Sequence, residues 1–334
     1  MNTINEKYEK SFIFLFLLTF LYIFYTLYTI FSSDVVLADD LVMIYSAKNI
    51  NQNFFEYIIS FIDSSTMSAR PISGFITGTI IFLAKNNDQI YFSGLLFFPL
   101  SILTVYFVLN KILPKQIVCL AILFYAISLI GTCIQFSPIM LNSNVATIFY
   151  ALSIYFIVVK KNLVVSSFLF MLSILSYEIF FMGIIVNTLL IKENNKKIVY
   201  AAFTLGLIFV YREYIQSYFF VNSYQRDSFS NILNFERDLK IFLWSVKIIF
   251  RDYFVAVFKS LANFWKINVF ELGMALLISF GVFKVLKSFD FNFHSEKLKK
   301  VAVLTFLGLV ISFGIYSCDI KFGNQKFLDI CKQF

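Results

Sequence analysis

Two adjacent carboxylates, Asp39 and Asp40, follow the first apolar stretch of a chain that otherwise carries few charges. Lys48, Glu56, Asp63 and Arg70-Pro71 come soon after them, and Ser176-Tyr177-Glu178 interrupts a later apolar run. A positioned carboxylate can take a proton from a hydroxyl nucleophile. An arginine fork can neutralise a phosphate leaving group through two parallel N–H bonds. On a helix, neighbouring side chains diverge by about 100°, so the two aspartates need not touch the same atom. One suits a base. The other suits orienting it, binding hydroxyls or holding a divalent cation such as Mg or Mn. Plain alternatives stand beside each role. Asp39-Asp40 also suits the N-terminus of a following helix. Arg70 also suits snorkelling to lipid headgroups, and Glu178 also suits pairing with a buried basic or hydroxyl group.

A second set lies later in the chain. Arg237, Lys240, Trp244, Lys247 and Arg251 are spaced alternately by three and four residues, which puts all five on one face of a helix spanning about 236–260. Their natural counter-ion is phosphate, on a substrate or on a phospholipid. The segment Phe136-Ser-Pro138-Ile-Met-Leu-Asn142-Ser-Asn144 is a polar turn that either lines a cavity or simply connects two spans.

The elements that must hold these residues are apolar. Hydrophobic residues make up 59% of the chain against 14% charged, and mean hydropathy is +0.79. Apolar runs of about 18–22 residues recur, the length needed to cross a hydrocarbon core of ~30 Å. They cover 11–31, 72–84 with its continuation, 90–109, 116–136, 145–159, 163–191, 198–220, 241–258, 267–283 and 301–316. The expected fold is all-α: one polytopic membrane domain over 1–334 with about 9–11 transmembrane helices. The runs are continuous, not alternating, which excludes a transmembrane β-barrel. The first span has no small-residue cleavage pattern after it and reads as a retained anchor.

Lys7 and Lys10 precede that span, so the amino terminus is expected inside and the loop 32–71 outside. Within the loop, 42–62 reads as an amphipathic helix lying flat in the outer interface. Ile44, Ala47, Ile50, Phe54, Tyr57, Ile58 and Phe61 line one face, and Lys48, Gln52 and Glu56 the other. Residues 163–191 are too long for one upright span. They form either a tilted helix with an intramembrane acid or a hairpin of two short helices meeting at Glu178. The hairpin is preferred, because it puts Lys160/Lys161 and Lys192/Lys196/Lys197 on one side.

The net charge of +8 comes from short lysine groups at span ends, the pattern of membrane insertion, and no base-reading module accompanies it. Nucleic acid is therefore excluded as a partner. The 45 phenylalanines and the abundant Ile, Asn, Lys and Tyr fit an AT-rich coding sequence. The single histidine, His294, excludes His-based metal sites and Ser-His-Asp triads. Cys119 and Cys133 lie in one apolar span, while Cys318 and Cys331 lie in the polar tail; neither pair has metal-ligand spacing.

An Asp-Asp pair soon after span one, an amphipathic loop, Ala69-Arg70-Pro71 opening span two and a later Ser-Tyr-Glu resemble the GT-C superfamily of polytopic glycosyltransferases. More narrowly, they are similar to the serotype-converting O-antigen glucosyltransferases. The resemblance covers about residues 11–190; at the position before Arg-Pro, Ala69 stands where the family pattern has Gly. The chain is shorter than the resemblance leads one to expect and its end is abrupt, so a truncated or a degenerate gene is among the expectations. The resemblance implies transfer of a hexose, glucose among the options, from a polyprenyl-phosphate donor to a bacterial surface glycan at the outer face of the inner membrane. It makes Asp39 or Asp40 the acid/base, Glu178 a supporting acid, and Arg70 a phosphate or loop anchor. The stripe of Arg237, Lys240, Lys247 and Arg251 would face the same phosphate. Two other readings fit a many-spanned chain. A polysaccharide polymerase would place its large outer loop late, and a flippase of lipid-linked sugars would show mid-membrane charges and an internal repeat.

Overall fold

The computed structural model describes residues 53–63, 67–84, 86–113, 117–118, 121–122, 141–220 and 269–287, with isolated helical positions at Leu17 and Leu21 and between 240 and 265. Helices dominate, and no strand occurs among the described residues. They are α1 (Phe54–Asp63), α2 (Pro71–Leu83), α3 (Asn87–Leu109), α4 (Leu141–Val158), α5 (Leu163–Ser176), α6 (Gly183–Leu190), α7 (Asn194–Val210) and α8 (Val269–Lys287). Among the described residues, three stretches are long and apolar enough to cross a membrane: Asp88–Leu109, Leu141–Val158 and Asn194–Gln216. Their outward faces agree with a lipid solvent. On α3, Phe92, Leu96, Leu100, Leu103 and Phe107 recur at three-four spacing and stay exposed, a stripe that water would penalise. These features point to a membrane protein.

The expected helix over 42–62 is realised as the shorter α1. Asn53 caps it, its side chain accepting the Glu56 N–H at 3.0 Å, so a helix begins at Phe54. Residues 42–52 lie outside the described set. The helix runs antiparallel along α2. The Phe54 ring meets Phe82 at 5.3 Å, and two glycines let the backbones approach. A Cβ on Gly78 would stand 2.9 Å from Ile58 Cδ1 and 3.1 Å from the Phe61 ring, and one on Gly74 would stand 3.1 Å from Ile62. Tyr57, Ile58, Phe61 and Ile62 are buried there, and the apolar side chains of Ile58, Phe61 and Ile62 are each worth about 1.5–3 kcal/mol relative to water. Pro71 opens α2, where its missing N–H costs nothing.

Helices α4 and α5 form an antiparallel pair in strict register. The Ser166 hydroxyl donates to the Ser153 carbonyl at 2.9 Å, and the Ser173 hydroxyl to the Ala146 carbonyl at 2.8 Å. An advance from 166 to 173 in α5 thus matches a retreat from 153 to 146 in α4. Between them Lys161 takes a left-handed conformation (φ 54), and the Asn162 N–H closes α4 by reaching the Phe156 carbonyl at 2.9 Å. The Asn162 side chain then starts α5 by accepting the Val165 N–H.

At Tyr177 the chain becomes extended, makes a 3₁₀ turn (Glu178–Met182) and reverses into α6. Gly183 allows the turn to pass the Tyr150 ring, 2.7 Å from where a Cβ would stand. The reversal follows from the contacts of Asn187, whose amide donates to Ser153 and to the Tyr200 hydroxyl, back at the level of Ser166. Residues 163–190 are therefore a hairpin. Lys160, Lys161, Lys192, Lys196 and Lys197 gather at one end of it, and Glu178 sits at the other. Helix α7 then runs alongside α5, with Thr204 donating to Ser167 and Ile208 packing on Phe170 and Ile174. Small hydroxyl-bearing residues thus line the seams, as close helix packing in lipid requires.

Candidate active site at the Arg70–Glu178 pair

Local chain geometry prepares both partners. The Arg70 N–H bonds the Met67 carbonyl at 2.9 Å, closing the turn at 67–69, and the Arg70 carbonyl accepts the Gly74 N–H in the first turn of α2. Arg70 is thus held at a helix mouth. Glu178 is the first residue of the 3₁₀ turn, placed by the extended Tyr177. The Ser73 hydroxyl donates to the Ser176 carbonyl at 2.8 Å and locks the two elements together.

The result is a two-pronged ion pair. Arg70 Nε donates to Glu178 Oε2 at 2.6 Å, and Nη2 donates to Oε1. The guanidinium carbon also lies 4.7 Å from the Tyr177 ring centre, a cation–π contact. The side chains are 17% and 12% exposed, so each charge is largely withdrawn from water and needs the other. Both carboxylate oxygens of Glu178 accept from Arg70, which favours a holding role over that of a free base. The remaining guanidinium nitrogen, Nη1, belongs to the same rigid fork.

Other groups converge on this end. The Tyr211 hydroxyl donates to the Ser68 carbonyl at 2.9 Å, tying the turn before Arg70 to the far end of α7. There the helix widens into a π segment (Tyr211–Gln216), in which Arg212 donates to Gln216 at 3.0 Å. Such widened turns concentrate at functional sites. Asp63 closes α1 at the same end, since its neighbour Ile62 packs at Gly74; one Asp63 oxygen is enclosed without a hydrogen-bond partner. Glu56 is exposed, on the first turn of α1 near Phe82, away from Arg70.

The sequence-derived candidates fare differently. Arg70 and Glu178 are brought together across 108 positions of chain. Asp39, Asp40 and Arg237 lie outside the described residues. Lys240, Lys247 and Arg251 are helical and exposed, and none of the three is without a partner. Among the described residues no three metal-ligating side chains cluster. Tyr177, Tyr211 and Arg212 were given no role by the sequence. A signal for the last two was present, because Arg212-Glu213 breaks an otherwise apolar run.

Comparison with protein-family models, with curated proteins and with solved structures gives no match.

Proposed function

We propose that this chain is a polytopic membrane glycosyltransferase of GT-C type. It moves a hexose from a polyprenyl-phosphate donor to a glycan acceptor at the outer face of a bacterial inner membrane. One observation carries most weight: an arginine and a glutamate from motifs far apart in sequence form a desolvated fork on a tyrosine ring, at the end of the bundle opposite the lysine clusters. A charge pair in apolar surroundings needs a reason to persist, and a site that handles an anion supplies one.

In this reading Glu178 orients Arg70, and the Arg70 guanidinium is the cation that stabilises the phosphate that leaves. Asp39 or Asp40 takes the proton from the acceptor hydroxyl as the oxygen attacks the anomeric carbon. The bond from that carbon to the phosphate oxygen breaks, and the lipid phosphate departs with the electron pair. Lys240, Lys247 and Arg251, with Arg237, add positive potential for the same anionic donor. The lipid tail lies against the exposed apolar stripes.

The test is transfer by purified protein in detergent micelles from radiolabelled undecaprenyl-phosphate hexoses to a lipid-linked glycan. Labelled acceptor is expected from the native chain and not from Arg70→Gln. Absence of transfer from every hexose donor offered, by folded protein, would sink the proposal.

A further inference from the structure

Asn142 is 2% exposed, yet neither its amide oxygen nor its amide nitrogen has a hydrogen-bond partner. Burying an amide with both atoms idle is costly, and most buried polar groups avoid it. Single buried polar atoms elsewhere are also idle, among them Ser68 Oγ, Thr77 Oγ1 and Asn187 Oδ1, but Asn142 is the one buried amide among the described residues with both side-chain atoms unpartnered. The Ser101 hydroxyl, by contrast, donates to Asn144, and the hydroxyls of Ser153, Ser166 and Ser173 donate to carbonyls.

The register of α4 and α5 says where Asn142 lies. Ala146 stands opposite Ser173. Four residues back along α4 is Asn142, on the same helical face; four residues forward along the antiparallel strand of chain is Tyr177. Asn142 is thus level with the break that carries Tyr177 and Glu178, and with the Arg70 fork stacked on Tyr177. Side chains in a helix tilt toward its amino terminus, and Asn142 is in the first turn of α4, so the amide leans toward that end of the bundle.

We infer that Asn142 recognises the sugar of the donor beside Arg70, its amide bridging two hydroxyl groups of the hexose. This rests on the glycosyltransferase reading and deepens it. The chemistry of the two idle atoms selects the ligand. A phosphate only accepts hydrogen bonds, so it satisfies the amide nitrogen and leaves the oxygen orphaned. A pair of neighbouring hydroxyls satisfies both, one O–H donating to the amide oxygen while the amide N–H donates to the other hydroxyl. Division of labour follows, with Arg70 holding phosphate and Asn142 reading sugar.

The experiment compares affinity of full-length purified protein for undecaprenyl phosphate and for its glucose, galactose and mannose esters. The native chain is expected to hold at least one ester more tightly than the bare lipid. Asn142→Leu should lose that preference, by about tenfold or more, while holding bare undecaprenyl phosphate as before. Arg70→Gln should weaken all four lipids. Asn142→Leu should also melt no lower than native protein without ligand, because it removes two unsatisfied atoms. Asn142→Ala removes the same atoms without added bulk, and reads the same preference if the leucine variant does not accumulate. A variant that keeps the native preference overturns the inference alone, and so does one that loses affinity for the bare lipid phosphate. A native chain that holds none of the four lipids overturns both the inference and the reading beneath it.

Discussion

At the scale of single residues, the Arg70–Glu178 fork separates structural from functional value. Removing one partner of a largely buried pair leaves an uncompensated charge and costs about 3 kcal/mol or more. Glu178→Gln and Arg70→Met should therefore each lower the melting temperature in detergent. The double change Arg70→Met with Glu178→Leu should recover most of that loss, because no lone charge remains. Transfer should stay absent in the recovered protein, since the cation facing phosphate is gone. Recovery of both stability and transfer would reduce the pair to a packing device. The aspartates give a complementary experiment. Asn keeps the shape and helix-capping ability of Asp but cannot take a proton. Asp39→Asn or Asp40→Asn should lower transfer by about 10²–10⁴-fold while the protein still accumulates. Near-native transfer by both variants would move the search for a base to Asp63, whose enclosed oxygen sits at the Arg70 end.

At the scale of elements, the packing of α1 on α2 is open to titration. Tyr57 is buried with its hydroxyl unsatisfied, and burial pushes that phenol up to about 12 from 10.0. A group whose folded pKa is raised contributes stability below its unfolded pKa and loses it as pH climbs toward the folded value. The α1–α2 unit should weaken between about pH 10 and 12. Tyr57→Phe removes the titrating group and the idle hydroxyl together, so it should flatten that alkaline loss and be neutral or stabilising at pH 7. Thermal unfolding of the two proteins across that range checks it; identical alkaline curves would mean the ring is not held against α2. The reversal at Tyr177 depends equally on a close approach. Gly183→Val would drive a branched side chain into the Tyr150 ring, and should disorder the turn that presents Glu178.

At the scale of the molecule, the hairpin of α5 and α6 sorts the charges. Lysines lie at one end and the Arg70–Glu178 fork at the other, so the two ends should face opposite sides of a membrane. In a chain lacking its native cysteines, Ser65→Cys should react with an impermeant thiol reagent in intact spheroplasts. Lys161→Cys and Glu193→Cys should react only after the membrane is opened. The reverse pattern would put the fork in the cytoplasm and favour a nucleotide sugar over a lipid-linked donor.

The sequence alone determined what depends on local composition. Run lengths and hydropathy marked helices close to α2, α3, α4, α7 and α8, because a helix satisfies its own backbone and needs only a continuous apolar stretch to persist in lipid. Pro71 announced the start of α2, and three-four spacing announced the buried face of α1. The lysine groups flanking 163–191 favoured a hairpin, which the contacts of Asn187 with Ser153 and Tyr200 bear out. Tertiary structure decided which distant residues meet. No local rule pairs Arg70 with Glu178, stacks Tyr177 beneath the arginine or sends Tyr211 to the Ser68 carbonyl. Those contacts depend on the angle and register at which finished helices dock, set by Gly74, Gly78 and Gly183 and by serine-to-carbonyl bonds across the seams. The same register brings Asn142 level with Tyr177, although the sequence marks it only as part of a polar turn. Spacing along one chain segment carries the face of a helix. Only the packed bundle carries what that face meets.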